Sequence, residues 1–129
     1  MKAASKSPKT PSPSKETAVI AKATLRAAER LGLTAKMLGK VIGVSEPTVS
    51  RLKTGATVLE RDGKPFELSV LFVRLFRALD AMTGGDEAVA RVWLTSPNLV
   101  FNDAPINRIM TIAGLVDVIA YLDARRAIV

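Results

Sequence analysis

The chain has no cysteine and no histidine. Disulfides, thiolate metal sites, imidazole ligands and histidine-based acid-base chemistry are therefore excluded, and a protein of the reducing cytoplasm without metal or cofactor is expected. No uninterrupted apolar run reaches the roughly 18 to 20 residues that cross a bilayer, and the N-terminus lacks the apolar core of a secretory signal. Convincing strand alternation is missing as well, so an all-α fold is predicted. The 129 residues suffice for one ordinary domain, or for two very small helical units that share a core.

What is present is unevenly charged. Residues 1–65 hold 13 Lys or Arg against 5 Asp or Glu, a balance of +8, whereas residues 66–129 hold 6 against 7, a balance of −1. The field that attracts phosphates thus belongs to the front half, and the back half is free for another task. Residues 1–16, MKAASKSPKTPSPSKE, interleave Lys with Ser and Pro and carry no apolar residue larger than Ala after Met1. They read as a disordered basic leader.

The segment from Thr34 to Gly55 reads as two short helices joined by a tight turn. Thr34 can cap the first, which places Leu38, Val41 and Ile42 on one face. Gly43 can end it in the left-handed conformation, and Ser45 can cap the second. Pro47 falls in a first turn, where a missing N–H costs little. Val49 and Leu52 would point inward, leaving Ser45, Glu46, Thr48, Ser50, Arg51 and Lys53 as candidate DNA-contacting residues. Hydroxyls that donate or accept, with an arginine fork able to reach phosphate or a guanine edge, suit a nucleic acid.

A preceding helix over Thr17–Leu31 repeats Ile20, Ala23, Ala27 and Leu31 at helical spacing. Asp62-Gly63 marks a turn in the connection Ala56–Pro65, so the domains are placed at 17–65 and 66–129. Glu67–Met82 forms the strongest amphipathic helix, with Leu68, Leu71, Phe72, Leu75, Leu79 and Met82 on one stripe. Val70, Val73 and Phe76 widen that stripe, and part of it could meet a second copy. Asp86 can cap a helix over Glu87–Leu94, Pro105 can open a short helix to Met110, and Thr111 can cap a last helix to about Arg126. Its expected buried stripe is Ile112, Leu115, Val116, Ile119 and Leu122.

With Gly39 where the helices would cross, then Gly43, Val44, Ser45, Val49, Ser50, Arg51 and Leu52, the front half resembles the helix-turn-helix of phage-repressor-like (Xre) regulators. The back half, through Gly85-Asp86, Trp93-Leu94, Pro97-Asn98, Pro105, Thr111, Gly114, Val118 and Leu122, is similar to the Xre/MbcA/ParS toxin-binding domain. It departs from that pattern before Pro105, where Val100-Phe101-Asn102-Asp103-Ala104 stands in place of an expected glycine, and in its apolar end, Ala127-Ile128-Val129.

The resemblance implies an antitoxin of a type II toxin-antitoxin pair, whose partner is a RES-domain toxin that attacks NAD. It implies that the C-terminal region covers the toxin's active site while the helix-turn-helix represses the shared operon. Leu122, Arg125, Arg126, Ile128 and Val129 are the expected toxin-binding residues, though Arg125 and Arg126 could equally complement the helix dipole and Ile128 fold onto the core. A homodimer on a palindromic operator within a larger toxin-antitoxin complex is expected. The alternative is a stand-alone repressor whose back half only dimerises or senses a ligand. Catalysis is not expected, because Asp86, Glu87 and Asp103 sit at helix starts, where capping explains them.

Overall fold

The structure, a computed structural model, describes residues 14–127. The expectations made for residues 1–13, Ile128 and Val129 lie outside that range. Seven α-helices follow one another among the described residues: α1 (Lys15–Leu31), α2 (Ala35–Ile42), α3 (Glu46–Thr54), α4 (Lys64–Met82), α5 (Glu87–Thr95), α6 (Pro105–Arg108) and α7 (Ile112–Ala127). The described residues form no strand, and an isolated bridge joins Asn98 to Asp103.

Capping decides where the first helix begins. The Ser14 side chain accepts from the Thr17 N–H at 3.1 Å, so α1 starts at Lys15, inside the stretch expected to be a leader. Glu16 is tied to Arg61 at 2.7 Å. Composition suggested disorder there, but a serine ahead of Lys-Glu-Thr is an N-cap and satisfies one of the first orphan amides. At α4 the start likewise moves forward, from Glu67 to Lys64, because the Gly63 N–H closes a turn on the Glu60 carbonyl at 2.9 Å. Pro65 then falls in the first turn, where it is tolerated.

Helix α4 lies at the centre, packing against α1, α2, α5 and α7. Phe72, Leu75 and Leu79 are fully buried, and Val73 is buried as well. Flanked on several sides, α4 needs a wider apolar surface than one face provides. Val73 therefore belongs to the core rather than to a surface for a second copy, while Phe76 is half-buried and Val70 exposed. One continuous core runs from Ala27 in α1 to Leu122 in α7.

Two glycines are fixed by close approach. The Gly43 and Val44 amides both donate to the Gly39 carbonyl, at 2.8 and 2.9 Å. A Cβ on Gly39 would lie 2.5 Å from the Val44 carbonyl oxygen, so this glycine makes room for the turn backbone and not for the crossing of α2 with α3. At Gly114 a Cβ would fall 1.8 Å from the Arg108 carbonyl oxygen. The first turn of α7 is thereby pressed against the end of α6.

That contact turns α7 about its axis relative to the expected stripe. Leu115, Val118, Ile119 and Leu122 are buried, whereas Ile112 and Val116 stand exposed. The expected stripe and the observed one share three residues, and periodicity alone does not choose between them. Gly114 lying against α6 directs Leu115 and Val118 toward α4.

In a helix, Gly→Ala ordinarily stabilises by about 1 kcal/mol. At Gly39 and Gly114 the sign should reverse, because the added methyl meets backbone that cannot step aside. Gly114→Ala should cost about 3 kcal/mol and Gly39→Ala about 1 to 3 kcal/mol, read by chemical denaturation. A gain in stability at either position would refute the close approach.

Candidate functional site

Two surfaces carry the residues singled out from sequence. On the first, α3 is mounted on α2 by the turn just described and makes its main packing contacts with α2. Gly43 adopts φ 78°, the left-handed conformation the turn requires. Val49 is fully buried and Leu52 half-buried, so the inward face is as expected. Glu46, Ser50, Arg51 and Lys53 are exposed, and Thr48 is half-buried.

The hydroxyls of Ser45 and Thr48, at the start of this helix, are already engaged. Ser45 Oγ accepts from the Thr48 N–H at 3.2 Å and lies 2.9 Å from Thr48 Oγ1. Arg51 Nη2 in turn donates to Thr48 Oγ1 at 3.2 Å. Ser45 therefore acts as the cap, and Thr48 orients the arginine. Glu46, Ser50, Arg51 and Lys53 remain the exposed groups available to a ligand. Neither Arg51 nor Lys53 forms an ion pair among the described residues. A guanidinium held by a hydroxyl and unpaired with a carboxylate is available for phosphate or a base edge.

Sequence reasoning passed over further cations beside α3. Lys22 and Arg26 on α1 border an open hollow of about 560 Å³ together with Thr34, the capping residue of α2, and Lys53. Their spacing, four residues apart on the polar face of α1, was the available signal. Their approach to Lys53 depends on how α1 lies against the helix-turn-helix, and no local pattern encodes that.

The second surface is at the C-terminal end of the chain. Arg125 and Arg126 are exposed at the end of α7 and border an open hollow with Ala81 and Met82. The Arg125 guanidinium lies over Tyr121, 5.5 Å from the ring centroid. Leu122 is fully buried, so it anchors the helix end in the core and is not itself a surface contact. Its burial agrees with the stripe expected for α7, of which it was a member. Asp123 ties the same turn to α4 through Arg74 at 2.6 Å.

Tyr121 belongs to an aromatic group that sequence reasoning did not assemble. Its ring is stacked on Trp93 with centroids 6.2 Å apart, and Phe101 meets it edge-on at 5.3 Å. Phe101 extends from the turn over residues 98–103, where the expected glycine is absent. Asn102 takes φ 60° there. Asparagine is among the few side chains that tolerate this conformation, so it fills the place where a glycine was expected. Asp103 Oδ1 accepts from Asn107 Nδ2 at 2.9 Å and from the Ala104 N–H at 2.7 Å. The Asn107 bond first, then the Ala104 amide, hold the Asp103 carboxyl below its ordinary value, with a smaller contribution from Arg108 against an opposing desolvation.

Among the described residues no three His, Cys, Asp or Glu side chains gather as a metal site would require. None of the described helices is long and apolar enough to cross a membrane.

Two known family models match the chain. Residues 16–74 match the family described as the antitoxin Xre-like helix-turn-helix domain. Residues 78–127 match the antitoxin Xre/MbcA/ParS C-terminal toxin-binding domain. No curated protein matches the chain. The two matched segments meet inside α4, which explains why that helix packs against both groups of neighbours. Both are binding modules, and the chain is not a catalyst. The protein belongs to the Xre/MbcA/ParS antitoxins, as a type II antitoxin that joins a helix-turn-helix DNA-binding domain to a toxin-binding domain.

Proposed function

We propose that this antitoxin neutralises a RES-domain toxin that degrades NAD, and that it represses its own operon through α3. The observation that carries the toxin half is the exposed pair Arg125 and Arg126 at the end of a helix anchored by the buried Leu122. Guanidiniums at a helix end can hydrogen-bond carboxylates around a cleft or the phosphates of a dinucleotide bound in it. Two guanidiniums on a firmly seated helix end, followed by Ala127-Ile128-Val129, suit the entrance of such a cleft. Blocking it denies NAD access without any chemistry by the antitoxin. The site of action is the cytoplasm, where NAD and operator are both present.

On the DNA side, α3 enters the major groove, with Arg51 and Ser50 toward base edges and Lys53 toward phosphate. Lys22 and Arg26 add phosphate contacts at the flank. Motifs of this kind read half-sites about one helical turn apart, so the binding unit is a homodimer on a palindromic operator.

Arg51→Ala should weaken operator binding by about 1 to 3 kcal/mol if the fork reads a base, and by less if it touches phosphate only. Fluorescence anisotropy on the promoter of its own operon measures this. In the same assay, replacing Lys22 and Arg26 with alanine should weaken specific and random DNA alike and reduce the salt slope by about 1 for each phosphate no longer neutralised. An affinity indifferent to all three changes would remove α3 and its flank from the DNA surface.

For the toxin, the neighbouring reading frame should encode the partner. Its expression alone should deplete cellular NAD, and co-expression of the antitoxin should restore NAD and growth. The double change Arg125→Ala and Arg126→Ala should return depletion while leaving operator binding intact. Full protection by that variant would sink the role given to the helix end, and a toxin that leaves NAD untouched would sink the NAD reading.

A further inference from the structure

Eight large apolar side chains stand exposed among the described residues, and six of them, from Val89 to Val116, lie in the segment matched to the toxin-binding domain. The extreme case is the turn between α5 and α6. Leu99 is 100% exposed and Val100 63%. An exposed leucine on a loose loop requires no explanation. This turn is not loose.

The Asn98 N–H donates to the Asp103 carbonyl at 3.1 Å, and the Asn102 N–H to the Asn98 carbonyl at 2.9 Å. Asn98 Oδ1 accepts from the Val100 N–H at 2.9 Å. Directly after Val100, Phe101 is buried against Trp93 and Tyr121. The backbone is thus fastened at both ends and across the middle, while its two aliphatic side chains are held out in water. Ordering a loop is one of the costs of association, and here that cost is met in the free protein.

The turn also joins the C-terminal surface. Phe101 meets the edge of Tyr121, and the Arg125 guanidinium covers that same ring. We infer that the Leu99-Val100 turn is a second toxin-docking element, a preorganised apolar knob that enters an apolar pocket beside the cleft faced by Arg125 and Arg126. Residues 98–102 carry no charge, so DNA phosphates are not their partner. As the sole seat of a dimer the knob is too small, since stable interfaces bury about 1,200 to 2,000 Å². As the flank of a toxin contact already made by α7 it needs only a local pocket.

This inference rests on the toxin-binding assignment and not on the NAD chemistry proposed above. The test uses the full-length antitoxin, the toxin encoded by the neighbouring reading frame, and titration of one with the other. Leu99→Ser combined with Val100→Ser should lower toxin affinity at least about tenfold, with melting temperature and operator affinity unchanged. Leu99→Met, which keeps the apolar bulk, should retain affinity. Equal affinity of the double-serine variant and the parent overturns the inference. So does loss of self-association by that variant in sedimentation with toxin affinity intact, which would assign the knob to a second copy. If the toxin is bound but consumes no NAD, the reading above fails while a tenfold loss still supports the knob. A parent protein that binds no toxin overturns both.

Discussion

The burial of α4 on several sides at once is the constraint on which everything else depends. Its apolar residues serve two sets of neighbours, α1 and α2 in the helix-turn-helix domain and α5 and α7 in the toxin-binding domain. Filling one shared core is also what allows 129 residues to carry two binding modules. Small domains leave too much of their chain exposed to be comfortably stable alone, and pooling apolar surface around one helix relieves that shortage. Phe72, Leu75 and Leu79, all fully buried, therefore belong to neither function and support both.

A second link crosses between the halves at the surface. Arg91 of α5 donates from Nε to the Arg30 carbonyl at 2.7 Å and from Nη2 to the Glu29 carbonyl at 3.2 Å. These carbonyls belong to the last turn of α1, where the helix dipole is negative and a cation is favoured. The companion pair Arg30 with Glu87, at 3.7 Å and about half exposed, adds little. Arg91 thus caps the helix that leads directly into Thr34 and the helix-turn-helix. The toxin-binding module finishes a helix of the DNA-binding one, so each is better formed in the presence of the other.

Local punctuation was the legible part of this sequence. Thr34, Gly43, Ser45 and Gly55 each act within four residues of themselves, through a cap bond or a positive φ, and each lies where its residue type requires. The Ser14 cap was equally local, but it was obscured by the Lys, Ser and Pro composition around it. Less legible was whatever depends on a distant neighbour. Which side of α7 faces inward is decided by the Arg108 carbonyl pressing on Gly114, a contact between elements that the spacing of Ile112, Val116 and Ile119 does not encode. Leu122 stood both in the expected buried stripe and, through the family resemblance, among the expected toxin-binding residues, and its full burial keeps it to the first of these. The Trp93, Phe101 and Tyr121 group joins three elements, and its residues looked unrelated along the chain.

The order of packing also sets how the two surfaces influence each other. Helix α3 rests mainly on α2, α2 rests on α4, and α4 meets α7. The groups proposed to meet partners, Arg51 and Lys53 at one end and Leu99, Arg125 and Arg126 at the other, are exposed and have little part in the core. Changing one of them alters one contact and leaves the scaffold in place, since surface substitutions away from caps and cores have small effects on stability. A disturbance at one surface reaches the other through α4 or through the contact of α1 with α5 that includes the Arg91 cap. Packed interiors resist small continuous deformation, so the α4 route transmits little unless the helix moves as a body. The Arg91 route is exposed and rests on hydrogen bonds to two carbonyls, so it can be altered without repacking the core. The link between the two modules that is most easily altered is therefore a surface cap, and not the shared helix that holds the protein together.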